Sequence, residues 1–183
     1  MYLVKPLSYR EATGKVKMML EAVENEMGLV PNFFNTIANS PAAMEGYLST
    51  SETLHGGVLP RKTQEKIAIA IASHNNCDYC LAAHTAIGRS LGIPDDELRS
   101  AQSGLSMDFK ERAILEIAIE LNAHHGHPGG EVLQKARAFG ITVDELFEIA
   151  ANVTLNILSN TVNGMAYTEL DFPHIFNTEV DAA

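Results

Sequence analysis

The sequence predicts an all-α domain. Three observations carry that expectation: apolar residues recur at three- and four-residue spacing almost throughout, helix-start signatures repeat along the chain, and glycines stand where those helices should stop. Ser8 with Glu11, Asp108 with Glu111 and Thr142 with Glu145 each place a capping side chain three residues before a Glu. Ser40-Pro41 adds a cap with proline at the first helical position, and Leu59-Pro60 opens another helix. Gly28, Gly92 and Gly140 mark ends. The helices expected run over 9–27, 32–39, 41–55, 60–73, 77–91, 94–102, 108–123, 130–139 and 143–167. The β-branched stretch from Val153 to Leu158 stays helical, because Ile149, Val153 and Ile157 repeat every four residues.

Part of the chain reads twice. Glu65–Ala72 resembles Glu111–Ala118, and Leu91–Leu98 resembles Phe139–Leu146, at offsets of 46 and 48 residues. Each copy is a helix, a turn, a second helix and a Gly-Ile corner, which predicts an internally duplicated helical hairpin packed antiparallel within a helical bundle. Two copies are too few for a solenoid. The cysteines occur only in the first copy; the second carries Asn122-Ala-His-His-Gly-His in their place.

With 183 residues, 46% of them hydrophobic, the chain can bury one sizeable core and is expected to form a single domain over 1–183. Acidic residues outnumber basic ones, 23 to 13, for a formal charge of -10. That balance repels phosphate backbones and anionic lipid, so neither nucleic acid nor a membrane is expected as a partner. The N-terminal segment lacks the apolar run of a secretory leader and no stretch reaches membrane-spanning length, from which a cytoplasmic location is expected.

Two cysteines do not make a disulfide framework, so their spacing matters more than their number. Cys77-Asp78-Tyr79-Cys80 follows Asn75-Asn76, which are good helix caps, and both thiols should fall in the first turn of a helix. There the unpaired N–H groups and the helix dipole favour thiolate. Cys77, Cys80 and His84 share one helical face, with the imidazole in reach of the Cys80 sulfur. Glu65, on the preceding antiparallel helix, faces the stripe of Ile67, Ala68, Ile71 and Ala72. A carboxylate placed there would be half-buried and could orient His84 and take or relay its proton.

Other readings of the same residues stay open. Cys77, Cys80 and His84 could supply three zinc ligands, with Glu65 or His74 as the fourth, although no second cysteine pair completes a structural zinc site. A disulfide across two residues removes little unfolded-chain entropy, and inert buried cysteines are the blandest reading. Tyr79 between the cysteines is either an auxiliary hydrogen-bond donor or a packing residue. His124, His125 and His127 precede the Pro128-Gly129-Gly130 turn and read as a solvated loop. Met18, Met19, Phe33 and Phe34 read as core or subunit contact, and His55-Gly56-Gly57 as a helix end where glycine permits a reversed backbone. No bound cofactor or resident metal is called for.

Glu65, eleven residues, Cys77-x-x-Cys80, three residues and His84, together with Leu29–Phe34, Asn39–Ala42 and Asp171-Phe-Pro, resemble the alkylhydroperoxidase D (AhpD) branch of the carboxymuconolactone decarboxylase superfamily, in its peroxidase-related subgroup. The likeness covers roughly residues 27–173. It implies an all-helical, AhpD-like fold assembling as a trimer or hexamer, and a thiol-dependent hydroperoxide reductase. Cys80 would be peroxidatic, Cys77 resolving, and Glu65 and His84 the proton relay. The electrons would come from an external dithiol or lipoyl-type reductant. One departure is Tyr79, where AhpD has a histidine; another branch, the lactone decarboxylases, lacks the cysteine pair. The alternatives are a general dithiol-disulfide oxidoreductase and a non-enzymatic zinc-stabilised or oligomeric interaction module.

Overall fold

The computed structural model describes residues 4–178. Among them nine helices follow one another with no strand: α1 (Gly14–Met27), α2 (Asn32–Ile37), α3 (Pro41–His55), α4 (Arg61–His74), α5 (Asp78–Ser90), α6 (Asp95–Gln102), α7 (Phe109–Ala123), α8 (Gly130–Ala138) and α9 (Val143–Ala166). Most start signals act as expected. The Asp108 carboxylate accepts from Glu111 N–H, Thr142 and Glu145 form a reciprocal capping box, and Ser40 Oγ accepts from Ala43 N–H.

The first helix is shorter than expected. Ser8 forms only a turn, its carbonyl accepting from Glu11 and Ala12, and α1 begins after Thr13. Gly14, at φ +57°, breaks the continuity that a helix from residue 9 would need. The end of α3 also differs: His55 is its last residue, but Gly56 has φ -91° and needs no glycine. The requirement sits at Gly57, where a Cβ would strike the Glu148 carboxylate, whose oxygens accept Val58 N–H at 2.7 Å and Leu59 N–H at 2.9 Å.

The duplicated hairpin is present. α4–α5–α6 and α7–α8–α9 follow the same plan, and the two corners match in detail. Gly92 and Gly140 are left-handed at φ 73° and 68°, and the next residues, Ile93 and Ile141, donate to the carbonyls of Gly88 and Ala136 and are buried. Asn75 and Asn122, at the tips of the first helix of each copy and 47 residues apart, exchange side-chain hydrogen bonds.

α4 runs through the centre, packed against α5, α6, α7 and α9, and every residue from Thr63 to Ser73 is buried. Its Ile67, Ile69 and Ile71 form the core with Leu81, Leu115, Ile117 and Ile149. The polar side chains that α4 itself buries must find partners, and they do. Gln64 Nε2 donates to the carbonyls of Leu54 and Leu59 at 2.8 Å each. Lys66 Nζ reaches Glu97 and Glu111 at 2.7 Å, and Glu111 also accepts from Thr63 and Ser106. Met18 proves exposed, as are Met107, Phe109, Phe147 and Phe176. No described helix is long and apolar enough to cross a membrane.

Burial alone would raise the Glu111 carboxyl, but hydrogen bonds from Lys66 and Ser106 outweigh it and hold the group below its ordinary value of 4.5. Burial would lower Lys66, and its two carboxylates outweigh that as well. Glu111 therefore stabilises the fold above about pH 4.5 and loses that contribution as pH falls through its lower folded value. Glu111→Ala should cost about 2 kcal/mol at neutral pH, with a difference from native that shrinks in acid. Urea unfolding at both pH values tests this; a difference independent of pH would contradict it.

Candidate functional site

The hairpin of α4 and α5 carries four of the sequence-selected side chains, the cysteines where α4 reverses into α5 and the Glu65–His84 pair further along the two helices. Ala72 O accepts from Cys77 N–H as the chain reverses, with Asn76 left-handed at φ 53°. The asparagines do not cap α5 as expected: Asn75 ends α4, and Cys77 itself is the N-cap. Its Sγ accepts from Cys80 N–H at 3.3 Å, so a sulfur occupies the position where a helix most favours negative charge. Cys77 and Cys80 are joined as a disulfide. They are not equally accessible, Cys77 being 8% exposed and Cys80 2%.

Glu65 is more deeply buried than the half-burial expected, at 4% exposure. It is tolerated because two cationic or proton-donating groups meet it. Arg61, four residues earlier on α4, holds Oε1 at 3.0 Å, and His84 Nδ1 holds Oε2 at 2.8 Å. A carboxylate accepting at Nδ1 fixes the proton there and leaves Nε2 as the nitrogen free to take one. Cys80 lies one helical turn before His84. Among the described residues, the ring's hydrogen bond is to Glu65 rather than to either sulfur.

A small cleft of about 40 Å³ opens against this pair, lined by Tyr47, His55, Arg61, Glu65, His84 and Asn156 among others. Burial drives the Tyr47 phenol far above its ordinary value, with Glu65 adding to the shift. Burial and neighbouring Arg61 push His55 down, towards the neutral imidazole. A larger cleft, about 200 Å³, lies between α7 and α8 around Phe109 and Phe139, and none of the candidate residues lines it.

Tyr79 faces away from this chemistry. Its hydroxyl donates to Asp171 Oδ2 at 2.5 Å and accepts from Phe33 N–H at 3.1 Å, while Asp171 also accepts from Asn32 N–H at 2.8 Å. Burial and the Asp171 hydrogen bond drive its ionisation far above the ordinary phenol value. The residue ties the segment after α9 to the start of α2. His74, offered as a fourth zinc ligand, ends α4, and among the described residues no group of three or more His, Cys, Asp or Glu is arranged to hold a metal ion. His124, with Glu120 at 3.2 Å, and His125 lie on the exposed turn after α7.

The sequence reading missed Arg61 and a stripe on α9. Asn152, Asn156, Asn160 and Asn163 are all buried, and Asn163 Nδ2 donates to Cys80 Sγ at 3.3 Å. Their four-, four- and three-residue spacing, which puts four carboxamides on one face of α9, was the available signal.

Residues 41–120 match the model of the carboxymuconolactone decarboxylase family, a segment that contains Glu65, Cys77, Cys80 and His84. An alkyl hydroperoxide reductase of Mycobacterium tuberculosis is 28% identical over 93 residues, which is 50% of this chain and 27% of that protein. An alkylhydroperoxidase AhpD core structure, an uncharacterized peroxidase-related protein from Ralstonia eutropha JMP134, superposes with a TM-score of 0.81 at 22% identity, covering 91% of this chain and 90% of its own. The debrominase Bmp8 superposes at 0.78 with 20% identity over 92% of each chain. At such identities these structures establish the common helical fold. Asn163 and Asp171 lie outside the family-matched segment.

Removing the Tyr79 hydroxyl leaves Phe33 N–H and Asp171 short of a buried partner. Tyr79→Phe should therefore cost about 1–3 kcal/mol while leaving the reactivity of the reduced cysteines unchanged. Thermal unfolding together with the rate of thiol alkylation checks both halves; unchanged stability with altered thiol reactivity would reverse the assignment.

Proposed function

We propose that this carboxymuconolactone decarboxylase family domain, in an AhpD-like helical fold, is a thiol-dependent hydroperoxide reductase in which Cys80 attacks and Cys77 resolves. The observation that carries the reading is a bonded cysteine pair in the first turn of α5, one turn ahead of a histidine held by a buried carboxylate. That is the nucleophile, base and orienter arrangement of an activated thiol.

The steps follow from these groups. Nε2 of His84 takes the Cys80 proton, with Glu65 fixing the ring. The thiolate attacks the hydrogen-bearing oxygen of the hydroperoxide. A sulfur–oxygen bond forms, the oxygen–oxygen bond breaks, and the departing alkoxide receives the proton to leave as an alcohol. Cys80 is then a sulfenic acid, two electrons oxidised. Cys77 thiolate, favoured at the helix N-terminus, attacks that sulfur; hydroxide leaves and is protonated to water, giving the disulfide.

Turnover requires an external dithiol, which attacks the more accessible sulfur, Cys77, and releases Cys80 as thiolate. A lipoyl-type carrier has this chemistry, and a reducing compartment such as the cytoplasm would sustain it. The burial of Cys80 favours a small oxidant over a protein disulfide, which separates this reading from a general oxidoreductase.

Stopped-flow thiol loss on adding tert-butyl hydroperoxide to the reduced protein tests the proposal. Native protein should lose both thiols and about two daltons of mass, Cys77→Ser should react but stop before a disulfide, and Cys80→Ser should be inert. Reaction of Cys80→Ser at the native rate would sink the assignment.

A further inference from the structure

The asparagine stripe of α9 is costly as a packing surface. Four carboxamides sit 4–7% exposed on the helix face turned towards α4 and α5, and a buried amide without a partner costs more than an apolar side chain of the same size. Two are satisfied locally: Asn152 Nδ2 donates to Glu148 O and Asn156 Nδ2 to Asn152 O, both at 2.8 Å. Asn160 Oδ1 accepts from Asn75 at 2.9 Å, while its Nδ2 is buried with no partner.

Asn163 differs. Its one hydrogen bond runs from Nδ2 to Cys80 Sγ at 3.3 Å, and its Oδ1 is buried with no partner. A disulfide sulfur carries no hydrogen and can only accept, which orients the carboxamide with its N–H on the sulfur and leaves its carbonyl unengaged. The two ends therefore offer a donor to a sulfur lone pair and, on the same carboxamide, an unpartnered acceptor. Asn160 also has an unpartnered end, but of the four only Asn163 touches a cysteine sulfur.

We propose that Asn163 is a catalytic residue that grips both reacting atoms: its N–H donates to the Cys80 sulfur, and its carbonyl accepts the O–H of the incoming hydroperoxide. The second half rests on the hydroperoxide reductase reading; the first does not. In the attack described above, the hydrogen on the terminal oxygen stays in place while sulfur bonds to that oxygen. Asn163 Oδ1 thus holds the same O–H in the hydroperoxide and in the sulfenic acid, and orients the terminal oxygen rather than the alkyl-bearing one towards sulfur. Its N–H stabilises the thiolate more than the thiol, since a hydrogen bond to a charged acceptor is the stronger. The ligand class follows: peroxides with a free O–H are recognised, and dialkyl peroxides are not.

The test uses reduced full-length protein in a Cys77→Ser background, comparing Asn163 with Asn163→Leu, and Asn163→Ala should the leucine not fold. Iodoacetamide labelling of Cys80 at neutral pH should slow about tenfold in either variant, with the midpoint of its pH profile moved to higher pH. The second-order rate with tert-butyl hydroperoxide, measured at a pH where each thiol is fully ionised, should still fall at least about tenfold, the loss of the O–H contact alone. A native-like alkylation profile overturns the Asn163–sulfur contact regardless of peroxide behaviour. Slowed alkylation with an unchanged thiolate–peroxide rate overturns the contact to the substrate O–H. Absence of peroxide reactivity in the Asn163 protein removes the reductase reading but leaves the alkylation result standing. In otherwise native protein, the side-chain amide proton signals of Asn163 should titrate with Cys80; signals that stay fixed overturn the contact without any variant.

Discussion

A carboxylate buried in the middle of the central helix constrains more of this structure than any other single group. Glu65 lies where α4 is surrounded on all sides, and such a position is tolerated only when opposite charge or hydrogen-bond donors arrive from fixed directions. Arg61 comes from one turn earlier on the same helix, and His84 from the antiparallel neighbour. The second contact sets the register of α5 against α4. Because α5 begins where α4 reverses, that register also fixes where Cys77 and Cys80 lie. The residues that hold the imidazole and the pair that bears the sulfurs are therefore one geometric unit.

The internal duplication shows how one scaffold position serves two ends. Glu65 and Glu111 occupy equivalent places in the two copies. The first meets an imidazole on α5, while the second meets Lys66 and fastens α7 to α4. Where the copies touch at their tips, Asn75 and Asn122 pair reciprocally, and Asn75 passes the contact on to Asn160. The second copy thus supplies support, through α7 and the long α9, for a site whose sulfurs belong to the first. Asn163, beside Cys80, is where that support reaches a sulfur.

Much of this was legible in the sequence, for identifiable reasons. Helix ends governed by local chemistry, such as Thr142 with Glu145 and the Gly-Ile corners, are written in a few adjacent residues. Glu65, Cys77, Cys80 and His84 could be grouped because α-helical spacing and a short reversal relate them. What stayed hidden depends on distant packing. Ser8-x-x-Glu11 has the form of a helix start but lacks the continuation, since Gly14 interrupts it. Tyr79 could not be assigned before Asp171, 92 residues away, was placed against it. The burial of Glu65 is complete only because α9 and α3 close over α4, and the asparagine stripe matters only once α9 faces the cysteines.

The central claim is the unequal division of labour between two sulfurs in one helical turn, and trapping the oxidised intermediate tests it most directly. Reduced Cys77→Ser and Cys80→Ser proteins would each be exposed to one equivalent of hydroperoxide with dimedone present, and the adducts mapped by peptide mass. The account predicts a sulfenic acid adduct on Cys80 in the first protein and essentially none on Cys77 in the second. Equal labelling, or labelling of Cys77 alone, would contradict it.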